Sequence, residues 1–339
     1  MPNFVDDLFE AMDLSDAEPE LLAEFGLGAL GTSPAARHRR RQQKLTNAVL
    51  RQALRRIDDA FGDLSYILLK GEPLERLLFD EYTRCTGDID LLVLPGDIEA
   101  CRRHLEALGY RRKRDEPPRM WAHNQEPWVH DNHGVVVELH WSTSLPGTPA
   151  LPLADLFSTR VPFEFDDALC VDVLREDWLF FHLVLHFHHH QGFAKGLVDI
   201  AAWCDRYGAD VDADAMLERA RSLGMFGFVQ WPLHTLAILT GATPPLYRDD
   251  VDMPTRMWAV ATARALRDCL STPPGGDLEA TLVAIMPRVG TLGAVSLQAL
   301  TMLNLDDWPS RLRGVLRRSI MGPHRLGGFL DRSRRRFRR

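Results

Sequence analysis

The sequence predicts an α+β fold, with strands and short helices in the first half of the chain and a mainly α-helical second half. Three observations carry this. Residues 66–94 read YILLKGEPLERLLFDEYTRCTGDIDLLVL: an apolar run, a glycine, a helix-patterned piece and a second apolar run. Residues 128–141 hold two extended runs about the turn formers Asn132, His133 and Gly134, the pattern of a β-hairpin. From Glu176 onward the apolar spacing is helical and mostly stays so.

The elements follow in order. Residues 1–44 hold short amphipathic pieces (Phe4, Leu8, Met12, Leu14, then Leu21, Leu22, Phe25, Leu27), a breaker-rich segment at Gly31 to Pro34, and a basic run from Arg37 to Lys44. Leu45, Val49, Leu50, Ala53, Leu54 and Ile57 share one face of a helix expected to pack beside the first strand. That strand, Tyr66 to Leu69, ends at Lys70-Gly71. Leu74, Leu77, Leu78 and Tyr82 then follow helical spacing, with Pro73 in the first turn, where its missing N–H costs nothing. Asp88 to Leu94 is a strand. Asp97 to Leu108 is a helix stopped by Gly109. Ser142 to Pro152 is loop by composition, and the first domain is placed at 45–152, after a 1–44 extension and before a helical 153–339. Within that last part, Phe163, Phe165, Leu169, Val171 and Val173 alternate in strand fashion. Helices are expected at 212–223 and 226–239, split by Gly224. Met302, Leu303, Leu305 and Trp308 read as core, and Arg311 to Arg339, with its arginines from Arg332 on, as a solvated amphipathic helix with a frayed basic end.

Bulk properties narrow the class. At 339 residues the length favours two domains. A hydrophobic content of 45% and a charged content of 26% are those of a soluble globular protein. The net charge of -7 argues against a general nucleic-acid binder, although the arginine-rich tail keeps RNA or an anionic surface open there. The 5 cysteines are scattered with no C-x-x-C pair, which argues against a disulfide framework and a zinc knuckle. The start lacks a signal-peptide pattern and no apolar run is long enough to span a membrane, so a cytoplasmic location is expected.

The chemistry is carried by a few residues. Asp88 and Asp90 alternate on one strand and therefore share a face, with Ile89, Leu91 and Val93 on the other. Like charges side by side weaken a sheet, and a divalent cation relieves the repulsion; a carboxylate site suits Mg²⁺. Gly71 lets a ligand approach the backbone, and the helix start behind it favours phosphate. Glu138 interrupts an otherwise apolar strand, where an unpaired charge is expensive. His140 falls on the same face and is expected to be a partly buried, hydrogen-bonded histidine. His182, His186 and His189 or His190 share a helix face, but H-E-x-x-H is absent, so these are expected to line a cleft or to be solvated rather than to bind zinc.

The ordered set Leu69-Lys70-Gly71, Tyr82, Arg84 and Asp88-Ile89-Asp90-Leu91-Leu92-Val93 resembles one bacterial branch of the polymerase-β-like nucleotidyltransferase superfamily. That branch is an uncharacterised nucleotidyltransferase family found beside natural-product and exopolysaccharide genes. The resemblance implies a polymerase-β-like core, a mixed sheet with flanking helices, followed by an α-helical domain. It implies that Asp88 and Asp90 hold two Mg²⁺ ions (Mn²⁺ as a substitute), and that Glu138 is the third carboxylate, on a neighbouring strand. Nucleotide contacts are implied at Lys70, Gly71, Glu72, Arg84, His186 and Asp199, the last two contacting nucleotide or pairing with each other. Glu72 stands where most relatives have a phosphate-touching serine, a departure that Lys70 or Arg84 would make good. The implied activity is transfer of a nucleoside monophosphate from an NTP to an acceptor: a small molecule, a peptide or a saccharide. Two alternatives stay open: a silent nucleotide- or peptide-binding accessory protein, and a toxin-like enzyme acting on tRNA or protein.

Overall fold

The computed structural model describes residues 3–11, 34–113, 124–143, 149–166, 168–189 and 194–270, all belonging to one compact unit. The breaker residues 31–33, His190, the 302–308 cluster and the arginine-rich tail lie outside the described residues.

A seven-stranded mixed sheet organises the fold, in the order β3-β4-β5-β2-β1-β7-β6. Its strands are β1 (Tyr66–Leu68), β2 (Asp88–Val93), β3 (Tyr110–Arg112), β4 (Gln125–His130), β5 (Val136–His140), β6 (Val161–Asp166) and β7 (Leu169–Val173). Strand β2 lies in the middle, antiparallel to β1 and parallel to β5. The β4–β5 hairpin and the alternating 161–173 segment form as their sequence patterns predict. Strand β7 joins β1 in parallel, so the sheet extends past residue 152.

Although a helix lies between them in sequence, β1 and β2 are antiparallel. The helix between them, α3 (Glu72–Leu78), has only 7 residues. At about 1.5 Å per residue it spans roughly 10 Å. The chain then comes back through residues 79–87 and re-enters the sheet at the end where it left β1, so β2 runs back along its neighbour.

Helix α1 (Phe4–Ala11) precedes α2 (Pro34–Phe61), which starts well before Leu45. The early turns are rich in Arg and Gln, good helix formers without an apolar stripe, so periodicity alone misses them. Leu50, Ala53, Leu54, Ile57 and Phe61 pack into the main core with Ile89, Leu91 and Val93 from β2. Leu45 and Val49, expected on the buried face, are exposed. At that level α2 meets the polar 79–87 segment instead of the sheet, and it buries Gln43 and Asn47. Helix α4 (Ile98–Ala107) covers the same face of the sheet, contributing Cys101 and Leu105 to that core, and ends at Gly109 with φ +88°.

After α5 (Leu153–Thr159) and the β6–β7 pair come α6 (Glu176–His189), α7 (Ala194–Tyr207), α8 (Ala213–Ser222), α9 (Phe226–Thr240) and α10 (Met253–Leu270). Their cores are aromatic: Phe180 stacks tilted on Trp203 at 4.5 Å, and Phe187 meets Trp231 edge-on at 5.2 Å. Helix α1 docks on α7, where the Asp205 carboxylate accepts the Phe4 and Val5 N–H groups at 2.7 and 2.9 Å. These are helix-start donors with no partner inside the helix.

Candidate active site

The two β2 pairings determine which groups meet. The parallel register sets Asp90 opposite Glu138 and Leu92 opposite His140. The antiparallel register pairs Leu68 with Leu91, and the Leu69 N–H donates to the Asp90 carbonyl at 3.0 Å. Lys70 therefore leaves β1 beside the acidic face of β2, and its Nζ lies 3.1 Å from Asp90 Oδ1. His140 Nε2 is 3.1 Å from the same oxygen and 3.5 Å from Glu138 Oε2. Gln125, across the hairpin, donates to Glu138 Oε2 at 3.3 Å. One ligand atom each from Asp90, Glu138 and His140 lie within 4.8 Å of one another.

The charges explain one another. Burial opposes ionisation of Asp90, but Lys70 and His140 outweigh it and hold that carboxyl well below the usual range. Burial likewise opposes charge on Lys70 and His140. The pull of Asp90 and Asp88 on the ammonium, and hydrogen bonds from the imidazole to Asp90 and Glu138, raise both instead. Asp88, half-buried one turn of the pleat away, is raised by burial and then by repulsion from Asp90. Among the described residues, Asp90 Oδ2 is buried and accepts no hydrogen bond. A buried carboxylate oxygen left without a donor is costly, and Asp90 shares its group with a second carboxylate, Glu138, a hard ligand of the kind a divalent cation takes. The donor set thus fits such an ion.

Other sequence-predicted residues fall around this cluster. Gly71 has φ +87° and ψ −140°, a backbone conformation essentially closed to other residues. Glu72 pairs with Arg51 of α2. A polar cavity of about 150 Å³ opens on that side, lined by Asn47, Arg51, Glu72 and Glu75 among others. The loop carrying Arg84 is held by a buried chain: Gln43 donates to the Thr86 carbonyl, Asn47 to Glu75, and Glu75 accepts the Tyr82 N–H. Tyr82 itself is left-handed, with φ +65°. Arg84 is buried and makes a bidentate pair with Asp199 of α7, at 2.7 and 2.9 Å. His186, on α6, lies outside the Asp90–Glu138–His140 group, its ring centroid 6.4 Å from that of His182.

Lys195 is the residue that sequence reasoning misses. It sits in the first turn of α7 and donates to the Cys85 carbonyl at 2.8 Å. The available signal is its spacing, since Lys195 and Asp199 are four apart and share a helix face.

A family model described as uncharacterised nucleotidyltransferase matches residues 29–241, more than half of the chain. The chain belongs to this family. The match runs from ahead of α2 to the end of α9, so it takes in the strand carboxylates and the helices bearing His186, Lys195 and Asp199. A search of curated proteins finds no match. Nucleotidyl transfer is thus the activity class of the protein, and no helix among the described residues of this nucleotidyltransferase is long and apolar enough to cross a membrane.

Proposed function

We propose that this nucleotidyltransferase moves a nucleoside monophosphate from an NTP to an acceptor hydroxyl or phosphate on a small molecule, peptide or saccharide. The observation that carries the reading is the direct pairing of Asp90 with Glu138 across β2 and β5, with Asp90 Oδ2 buried and unpaired among the described residues. Asp88, Asp90 and Glu138 would hold two Mg²⁺ ions. Bound there, the ions neutralise charge on the triphosphate and on the attacking and leaving oxygens of an in-line displacement.

The chain's own residues do the rest. Lys70 stays charged because Asp90 and Asp88 raise its pKa, and it lies beside Gly71, whose bare backbone admits phosphate oxygens. Glu138, less buried than Asp90, takes the acceptor proton. His140 positions Asp90 and Glu138 together. Arg84 and Asp199 fix the loop before β2 against α7, and Glu72, tied to Arg51, holds the start of α3. His186 contributes to the nucleotide pocket from α6.

The test is incubation of a cell extract with each of the four labelled NTPs, Mg²⁺ and the protein, followed by mass spectrometry for a nucleotidylated product. Asp90→Asn serves as control. A product made by the parent and absent with Asp90→Asn supports the proposal, and equal signal from both removes it. A silent nucleotide-binding protein is the second reading, favoured by Glu72 standing at the position of the family-type serine; it predicts NTP binding without product.

A further inference from the structure

Three cations converge on the loop before β2: Lys70, Arg84 and Lys195. Two are matched by carboxylates. Arg84 is held twice by Asp199, and Lys70 by Asp90. Lys195 Nζ donates to the neutral Cys85 carbonyl at 2.8 Å, and among the described residues no carboxylate lies within ion-pair distance of it. An ammonium has three donors, so this contact leaves two. The acceptor, Cys85, is three residues from Asp88, and the Lys195 charge feels Arg84, Asp199, Asp88 and Lys70. A largely enclosed ammonium whose hydrogen-bond partner is a neutral carbonyl is only partly compensated by the more distant Asp199 and Asp88, and an arriving anion offsets the rest.

We infer that Lys195 binds the triphosphate of the incoming NTP, reaching it from α7. This rests on the NTP-dependent reading above and adds a ligand contact to it. The spacing agrees: Asp199, one turn further along α7, fastens Arg84, so the same helix face that locks the loop also brings the Lys195 ammonium to it. Burial, followed by repulsion from Arg84, pulls Lys195 down to about 8, the direction expected of a cation awaiting its anion.

The experiment is calorimetric titration of the full chain with Mg²⁺ and a non-hydrolysable NTP analogue, and separately with tripolyphosphate and the nucleoside. Parent, Lys195→Met and Lys195→Arg are compared. Loss of one charge-assisted phosphate contact weakens binding by about tenfold to a hundredfold. Lys195→Met is expected to show that loss for the analogue and tripolyphosphate, with nucleoside affinity within twofold of the parent, and Lys195→Arg to recover most of it. Should Lys195→Met not fold, Lys195→Gln, which keeps a donor for Cys85, carries the same expectation. Analogue affinity within twofold of the parent, or an equal loss for analogue and nucleoside, overturns the inference while leaving the proposed function standing. A parent that binds no analogue overturns both.

Discussion

Breaking the Arg84–Asp199 pair tests how the two halves of the site are joined. Both side chains are buried, at 3% and 1% exposure, and both carboxylate oxygens are engaged, at 2.7 and 2.9 Å. Asp199→Asn keeps the shape of the side chain and removes its charge, leaving a guanidinium enclosed between α7 and the loop before β2. Removing one member of a buried pair costs about 3–5 kcal/mol. Asp88 and Asp90 also attract Arg84, so the loss falls toward about 3 kcal/mol of that range. Against a total stability of roughly 5–15 kcal/mol this is readily measured. Urea denaturation followed by tryptophan fluorescence reports it, because Trp203 is fully buried on α7, one turn beyond Asp199. The double variant Arg84→Met/Asp199→Leu removes both charges and should regain most of the loss. A single-variant loss below about 1 kcal/mol would refute the reasoning, since a buried charge left unpaired costs more than that.

Gly71→Ala should destabilise the protein by about 1–3 kcal/mol in the same denaturation assay, because its φ of +87° suits glycine alone. His140→Ala should weaken Mn²⁺ binding about tenfold to a hundredfold by paramagnetic titration, as expected for a residue that orients two ligands. Acid should destabilise the fold through His188. Burial between Phe228 and Trp231 lowers this histidine to about 4, from 6.5, and its Nε2 meets the Phe228 carbonyl at 2.9 Å. Between these values the unfolded chain binds a proton that the folded chain refuses, so stability falls as pH drops from 6.5 toward 4, by up to about 3 kcal/mol from this group. Urea midpoints at several pH values should show that slope in the parent and its loss in His188→Gln.

The acidic strand was legible because alternation on β2 separates Asp88 and Asp90 from the core residues Ile89, Leu91 and Val93 without any tertiary knowledge. Glu138 was legible for a related reason: a charge inside an apolar run needs a partner, and the partner proved to be His140 with Asp90 opposite. What was hidden depended on pairing across the sheet. Nothing in the 66–94 pattern tells antiparallel from parallel, and only the antiparallel register brings Lys70 to Asp90. The Arg84–Asp199 pair joins positions 115 apart, a separation that carries no local signal. Lys195 escaped because a single lysine at a helix start usually lies in solvent. The polar first turns of α2 hid for lack of an apolar stripe, and Leu45 and Val49 misled because there the helix faces a polar loop and buries Gln43 and Asn47 instead.

The central claim is that the facing carboxylates of β2 and β5 hold divalent cations beneath an NTP. Crystals soaked with Mn²⁺ and a non-hydrolysable NTP, measured near the manganese absorption edge, test it directly. Anomalous density is expected between Asp88, Asp90 and Glu138, lost in Asp90→Asn. Density confined to other positions, or none at the strand carboxylates with nucleotide bound, would contradict it.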